Sequence, residues 1–221
     1  MIKESDRIYV AFSTDEHYVQ HAAVAMASVL EYTAQSSRLH FFLFFETLSS
    51  SAVSRVRQTV EGYGASIDFC PISADVDTSY YVSGQLSKAI YYRLRIPELL
   101  PPAVDRVLYL DCDLLVRADI AELWSMDMQG KPVAAVPDFG IMASCREWEN
   151  KKRDLGFSVD DLYFNSGVLL MDVVAWRTYR YGERVAEFAA THEYRHHDQD
   201  ALNLVFHRNW TPLPLRWNVI P

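Results

Sequence analysis

The 221-residue chain predicts an α/β fold on a mainly parallel sheet. Two patterns carry that expectation. Short apolar strands alternate with helical stretches through the first half, the arrangement of a sheet covered on both faces. Two carboxylates, Asp111 and Asp113, then interrupt an apolar run where a strand ends, and ligands of such sheets gather outside the carboxyl ends of strands.

The elements follow in order. Residues 7–13 (Arg-Ile-Tyr-Val-Ala-Phe-Ser) read as a buried strand, and 21–32 place Ala, Val, Met and Leu at helical spacing. Residues 39–45 form a second, aromatic-rich strand. A helix spans 49–63, capped by Ser49 or Ser50 and ended by Gly62 and Gly64. Residues 66–70 are a third strand, 86–94 a helix ended before Pro97, 106–110 a fourth strand and 132–136 a short fifth. Residues 164–172 are apolar, 182–190 and 199–206 helical, and the tail 210–221, with three prolines and two tryptophans, is extended. No repeat, linker or low-complexity tract breaks the chain, which reads as one domain.

Composition narrows the function. Apolar residues are 50% and charged ones 23%, an ordinary globular balance. The net charge of -8 argues against a nucleic-acid partner, although a bound cation can invert the sign locally for a small anion. Cys70, Cys112 and Cys145 are odd in number and far apart, which disfavours a disulfide framework or structural zinc and suits a reducing cytoplasm. The polar first residues carry no signal core, and purely apolar runs such as 41–45 are far too short to span a bilayer.

The Asp-Cys-Asp segment is the most informative motif. On a strand, residues i and i+2 share a face, so Asp111 and Asp113 project together. Unpaired charges in a core are costly, and a cation between them removes the cost. Hard oxygen ligands suit Mg²⁺ or Mn²⁺, ions that also bind diphosphates. A solvated turn after a strand is the plain alternative.

Other segments are weighed the same way. His192-Glu193-Tyr194-Arg195-His196 matches a zinc-hydrolase pattern, but Gln199 and Leu202 stand where its extension needs Gly and His; a solvated helix end fits better. Asp198 reads as an N-cap of the following helix, with carboxylate and amide groups able to face a pocket. Asn165-Ser166-Gly167 is a turn or a close backbone approach to a ligand, with Asn165 binding hydroxyls. Lys88, Arg93 and Arg95 sit among aromatics, where one could meet a phosphate. No Walker A or GxGxxG motif occurs.

Taken in order, these segments resemble the family 8 retaining glycosyltransferases, which include bacterial lipooligosaccharide α-galactosyltransferases and glycogenin. The matching stretches are Ser13-Thr-Asp-Glu-His-Tyr18, Tyr92-Arg93-Leu94, Val107 through Val116, Pro137-Asp138, Tyr163-Phe-Asn-Ser-Gly-Val-Leu-Leu170, Trp176-Arg177 and His197-Asp-Gln-Asp-Ala-Leu-Asn203. The resemblance implies a GT-A fold, a Rossmann-like nucleotide-binding sheet (about 1–117) joined to an acceptor-side half (about 118–221). It implies a UDP-hexose donor, Mn²⁺ (or Mg²⁺) as cofactor and a saccharide acceptor. Asp15 and Tyr18 would hold the uracil, with Ser13 beside them, and His17 stands where the family usually has an Asn near the ribose. Arg93 matches an Arg near the donor. Asp111 would bind metal and ribose, and Asp113 the metal. Asp138, Asn165, Asp198 and Gln199 match positions around the transferred sugar. Gln199 is a neutral amide and a poor nucleophile, so front-face attack, with Gln199 and Asp198 stabilising positive charge, is the expected chemistry.

The resemblance also implies a third metal ligand, a His beyond the Arg216-Trp-Asn-Val-Ile-Pro221 pattern, where this sequence stops. The expectation is then weaker UDP binding, a substitute ligand such as water, or a nucleotide-sugar-binding protein without turnover. Membrane association is expected to be peripheral at most.

Overall fold

The computed structural model describes residues 6–72, 92–191 and 195–219, with Thr191 and His197 described by their backbone alone. One sheet of seven strands runs in the order β3-β2-β1-β4-β6-β5-β7. Its strands are β1 (Ile8–Thr14), β2 (Leu39–Phe45), β3 (Ser66–Pro71), β4 (Arg106–Leu110), β5 (Val133–Pro137), β6 (Phe164–Asp172) and β7 (Thr211–Pro212). The strands β3, β2, β1 and β4 are mutually parallel, whereas β6 runs antiparallel between β4 and β5. The sheet is therefore mixed, and the parallel part is the half with the clear strand–helix alternation.

Every residue of β1 is buried because both faces are covered. Ile8, Val10 and Phe12 face one core with Phe41, Leu43, Leu108 and the helices α1 (Val19–Tyr32) and α2 (Ser50–Gly62). Tyr9 and Ala11 face the other, with Phe42, Phe44, Tyr109 and Trp176. Ser49 caps α2 by accepting from the Ala52 N–H at 3.2 Å, and Gly64, at φ +76°, turns the chain into β3.

Three expectations change. The helix expected over 86–94 lies largely outside the described residues, and Pro97 does not end it. A 3-10 turn, Arg93–Arg95, leads into α3 (Ile96–Leu99), whose first turn holds Pro97, where the missing N–H costs nothing. The tail carries the short β7 and a 3-10 turn, Leu215–Trp217. Four further helices had no clear sequence signal: α4 (Ile120–Trp124), α5 (Phe139–Ala143), α6 (Cys145–Leu155) and α7 (Val173–Tyr179). Their caps are Asp119, Asp138, Ser144 and Asp172. The helices α8 (Tyr181–Thr191) and α9 (His197–Val205) complete the fold. Among the described residues no helix is long and apolar enough to cross a membrane.

Candidate functional site at one edge of the sheet

The strand directions bring the polar motifs to one edge. The carboxyl ends of β1 and β4 lie there, as do the start of β6 and the end of β5. A bulge between Ala135 and Val136 leaves residues 166–168 of β6 unpaired with β5. On its other edge β6 stays joined to the β4 end, the Gly167 carbonyl accepting from the Asp111 N–H at 2.9 Å. Asn165-Ser166-Gly167 is thus inside a strand, not a turn.

Gly167 permits that approach. A Cβ there would lie 2.9 Å from Asp111 Oδ2 and 3.0 Å from Asn165 Oδ1, too close for any other residue without movement.

Arg93 stands at the centre. Its Nη2 lies 2.9 Å from Asp111 Oδ1 and its Nε 3.0 Å from Asp198 Oδ2. Its Nη1 donates to the Ser166 carbonyl at 3.0 Å, and the guanidinium lies over the Tyr109 ring, 4.8 Å from the centroid. Burial disfavours this cation, but the two carboxylates outweigh it and raise its pKa. Asp198 is buried, which pushes its pKa up to about 6 against the pull of Arg93. Asp198 does not cap α9; His196 holds that position and Asp198 turns inward to Arg93.

Asp111 and Asp113 differ. Asp111 is held through Oδ1 by Arg93 and by the Tyr109 hydroxyl, which donates at 2.8 Å, while Oδ2 lies against Gly167. Asp113 is exposed. The strand ends at Leu110, so the two aspartates leave it on a turn and strand alternation does not align them. Between them, the Cys112 thiol is buried, donates to the Ser13 carbonyl at 3.1 Å and is pushed up to about 12 by burial. No group of three or more His, Cys, Asp or Glu able to hold a metal occurs among the described residues. His192 and Glu193 of the zinc-like pattern lie outside them.

A second, tightly bonded group sits on the β5–β6–α9 side. The Gln199 Nε2 donates to Asp138 Oδ2 at 3.0 Å, and its Oε1 accepts from the Ser166 N–H at 3.0 Å. Asn165 donates to the same Asp138 oxygen at 3.2 Å, and its own Oδ1 accepts from Asn218 at 2.7 Å. Asn203 clasps β6 with both ends of its amide, bonding the Phe164 N–H and carbonyl at 2.8 Å each.

The β1 side is looser. Asp15 accepts the His17 and Tyr18 N–H groups through Oδ1, shaping the loop, and Tyr18 is 52% exposed. His17 is exposed as well. The Ser13 hydroxyl is buried 3.2 Å from the Tyr109 hydroxyl. Tyr109, Ser166 and Asn218 were given no individual role from sequence. For Tyr109 a signal existed, since it stands two residues before Asp111 on the adjoining strand.

In an open α/β sheet, polar residues gathered at the strands' carboxyl edge stand where such folds bind their ligands. Comparison with known proteins makes this specific. Residues 9–221 match the model of Glycosyl transferase family 8, and the chain belongs to that family. It is 28% identical to General stress protein A of Bacillus subtilis over 98% of this chain and 75% of that one. It is 26% identical to a lipopolysaccharide 1,2-glucosyltransferase of Escherichia coli, over 99% of this chain and 64% of that one. It therefore spans less than two thirds of that relative's length. The structure of the galactosyltransferase LgtC in complex with donor and acceptor sugar analogs superposes with a TM-score of 0.82 at 25% identity, over 94% of this chain and 74% of that one. The architecture is that of the GT-A glycosyltransferases.

Proposed function

We propose that the protein transfers a hexose from a UDP-sugar to a saccharide acceptor with retention of anomeric configuration. The observation that carries this reading is the two-part edge: exposed groups at β1 and β4 suited to a nucleotide diphosphate, beside a hydrogen-bonded network of amides and carboxylates suited to a sugar. In this reading the uracil stacks on Tyr18, with Asp15, Ser13 and His17 around the nucleoside.

Asp111 and Asp113 would hold Mn²⁺ (or Mg²⁺). The fit is supported by the donor set, carboxylate oxygens with Asp111 Oδ2 set against Gly167 and Asp113 exposed beside it. Charge also supports it. Asp15, Asp111, Asp113, Asp138 and Asp198 all lie at this edge, Asp111 and Asp198 paired with Arg93, and these carboxylates would repel a diphosphate unless a cation intervened. When bound, the cation neutralises the diphosphate and makes UDP a better leaving group.

The chain's own residues do the rest. Arg93, pinned by two carboxylates, fixes the orientation of Asp111 and brings positive charge toward the donor. Asp138 and Asn165 receive the hydroxyls of the hexose. The Gln199 carbonyl oxygen, held by the Ser166 N–H, presents a negative dipole end to the oxocarbenium-like carbon. Asp198 is tied to Arg93 and buried, so it supports Gln199 as a fixed charge and does not attack. The acceptor hydroxyl then attacks from the face that UDP leaves. The C1–O bond to phosphate breaks, the bond to the acceptor oxygen forms, and the acceptor proton passes to the departing phosphate. Nucleotide groups come mostly from the first 117 residues and sugar groups from the rest.

The test is UDP release from UDP-galactose and UDP-glucose, with Mn²⁺ and with EDTA, and the anomer of the product read by NMR. Metal-dependent release with an α-linked product is expected. Release that persists in EDTA, a β-linked product, or bound UDP without turnover would overturn the reading.

A further inference from the structure

Behind the sugar side lies a buried ionic cluster with no part in the chemistry above. Asp200 is 1% exposed and Lys151 3%. The Lys151 ammonium, from α6, lies 2.5 and 2.6 Å from the two oxygens of Asp200 in the first turns of α9. The Tyr163 hydroxyl donates to Asp200 Oδ1 at 2.6 Å, and the His196 N–H to Oδ2 at 3.0 Å. The ammonium also lies 5.4 Å from the Tyr163 ring centroid.

Such a pair is costly to desolvate and is weak evidence of stability by itself. Its position shows what it does. The cap residue of α9, His196, makes no side-chain capping bond. The start of that helix is held from within by Asp200 and from outside by Lys151 and Tyr163. One turn later Asn203 clasps β6. Asp198 and Gln199 lie between His196, whose N–H is bonded to Asp200, and Asn203.

We infer that Lys151 and Asp200 are positioning residues: they lock the first turn of α9 against α6 and β6, and so set where Gln199 stands relative to the transferred sugar. Asp200 is then unavailable as a nucleophile, since both its oxygens are engaged. The inference rests on the reading of Gln199 as the group that faces that sugar. It also couples α6 to the site, because a shift of α6 would move the helix that carries Gln199 through Lys151.

The experiment compares Lys151→Met with Lys151→Met/Asp200→Asn in the full chain. The readouts are hydrogen exchange of peptides covering 195–206, UDP affinity with Mn²⁺, and turnover of UDP-galactose and UDP-glucose. In Lys151→Met, exchange over 195–206 should speed up and kcat should fall at least tenfold, with UDP affinity within about twofold and β1–β3 peptides unchanged. The double variant leaves no buried charge, and its amide keeps an acceptor for the His196 N–H while offering an N–H to the Tyr163 hydroxyl, which can accept it; its kcat should return to within about threefold. Unchanged exchange in Lys151→Met overturns the inference whatever the activity, and so does a loosened helix with unchanged kcat. A double variant that is folded, binds UDP and stays as slow as the single one also overturns it, because the Asp200 charge would then matter in itself. Gln199→Ala with unaltered kcat would sink the reading of Gln199 alone, so the two failures remain distinct.

Discussion

The two sides of the site edge differ in how their polar groups are tied. On the β5–β6–α9 side Asp138, Ser166, Gln199 and Asn203 are buried and bonded to one another, Asn203 through the Gln199 carbonyl. On the β1–β4 side Asp113, His17 and Tyr18 are exposed, and Asp15 spends one oxygen on its own loop. Buried polar groups that satisfy each other form a rigid network before ligand arrives. Groups left open draw their partners from a ligand. In the proposed reading, one side is a preorganised frame for chemistry and the other a docking surface for nucleotide and cation. Arg93 joins them, with one carboxylate from each side.

Breaking the joint should have the largest effect. Arg93→Met leaves Asp111 and Asp198 without their cation, and loss of one partner of a buried pair costs about 3–5 kcal/mol. Thermal or urea unfolding should show a loss of that order, together with loss of UDP binding. A variant of native stability would separate the two sides of the edge.

Changes confined to the open side should spare the fold. Tyr18→Ala removes an exposed stacking face, and stacking on a base is worth about 1–3 kcal/mol. Calorimetry should find UDP affinity down by roughly ten- to a hundredfold with an unchanged melting temperature. A shifted melting point would assign the ring a packing role instead.

Acidity should act on the tied side. Burial raises the Asp198 pKa from 3.8 to about 6, so its neutral form is favoured in the folded state. That group's contribution to stability is full below pH 3.8 and is lost as pH rises through about 6. Its ion pair with Arg93 needs the charged form. Turnover should therefore fall as pH drops below about 6, by up to about tenfold per pH unit, and the acid limb should vanish from the residual activity of Asp198→Asn. An acid limb retained in that variant would assign the titration elsewhere.

The smallest effect tests the seam between the sides. Gly167→Ala would put a methyl group 2.9 Å from Asp111 Oδ2. Mn²⁺-dependent UDP affinity should weaken by roughly three- to tenfold, about 1 kcal/mol. Undiminished affinity would show that Asp111 can turn away without loss.

The same contrast governs what the sequence made legible. The strands β1, β2, β4 and β6 were readable because burial on both faces leaves near-continuous apolar runs. The motifs Asp111-Cys112-Asp113 and Asn165-Ser166-Gly167 were readable because polar groups interrupt such runs, although one proved to be a turn and the other part of a strand. The helices α5 and α6 were opaque: one has five residues, and the other is dominated by charge and buries only Trp148, Lys151 and Leu155. Pairings distant in sequence were invisible for a plainer reason. Nothing local to Lys151 announces Asp200, and nothing local to Asp198 announces Arg93.

The most direct test of the two-sided account is calorimetric titration of UDP, with Mn²⁺ present, into Asp113→Asn and Gln199→Ala side by side. The account predicts no measurable binding to Asp113→Asn, which loses a ligand charge on the open side. It predicts near-native affinity in Gln199→Ala, whose defect should appear only in turnover. Equal losses in both variants, or native affinity in both, would contradict it.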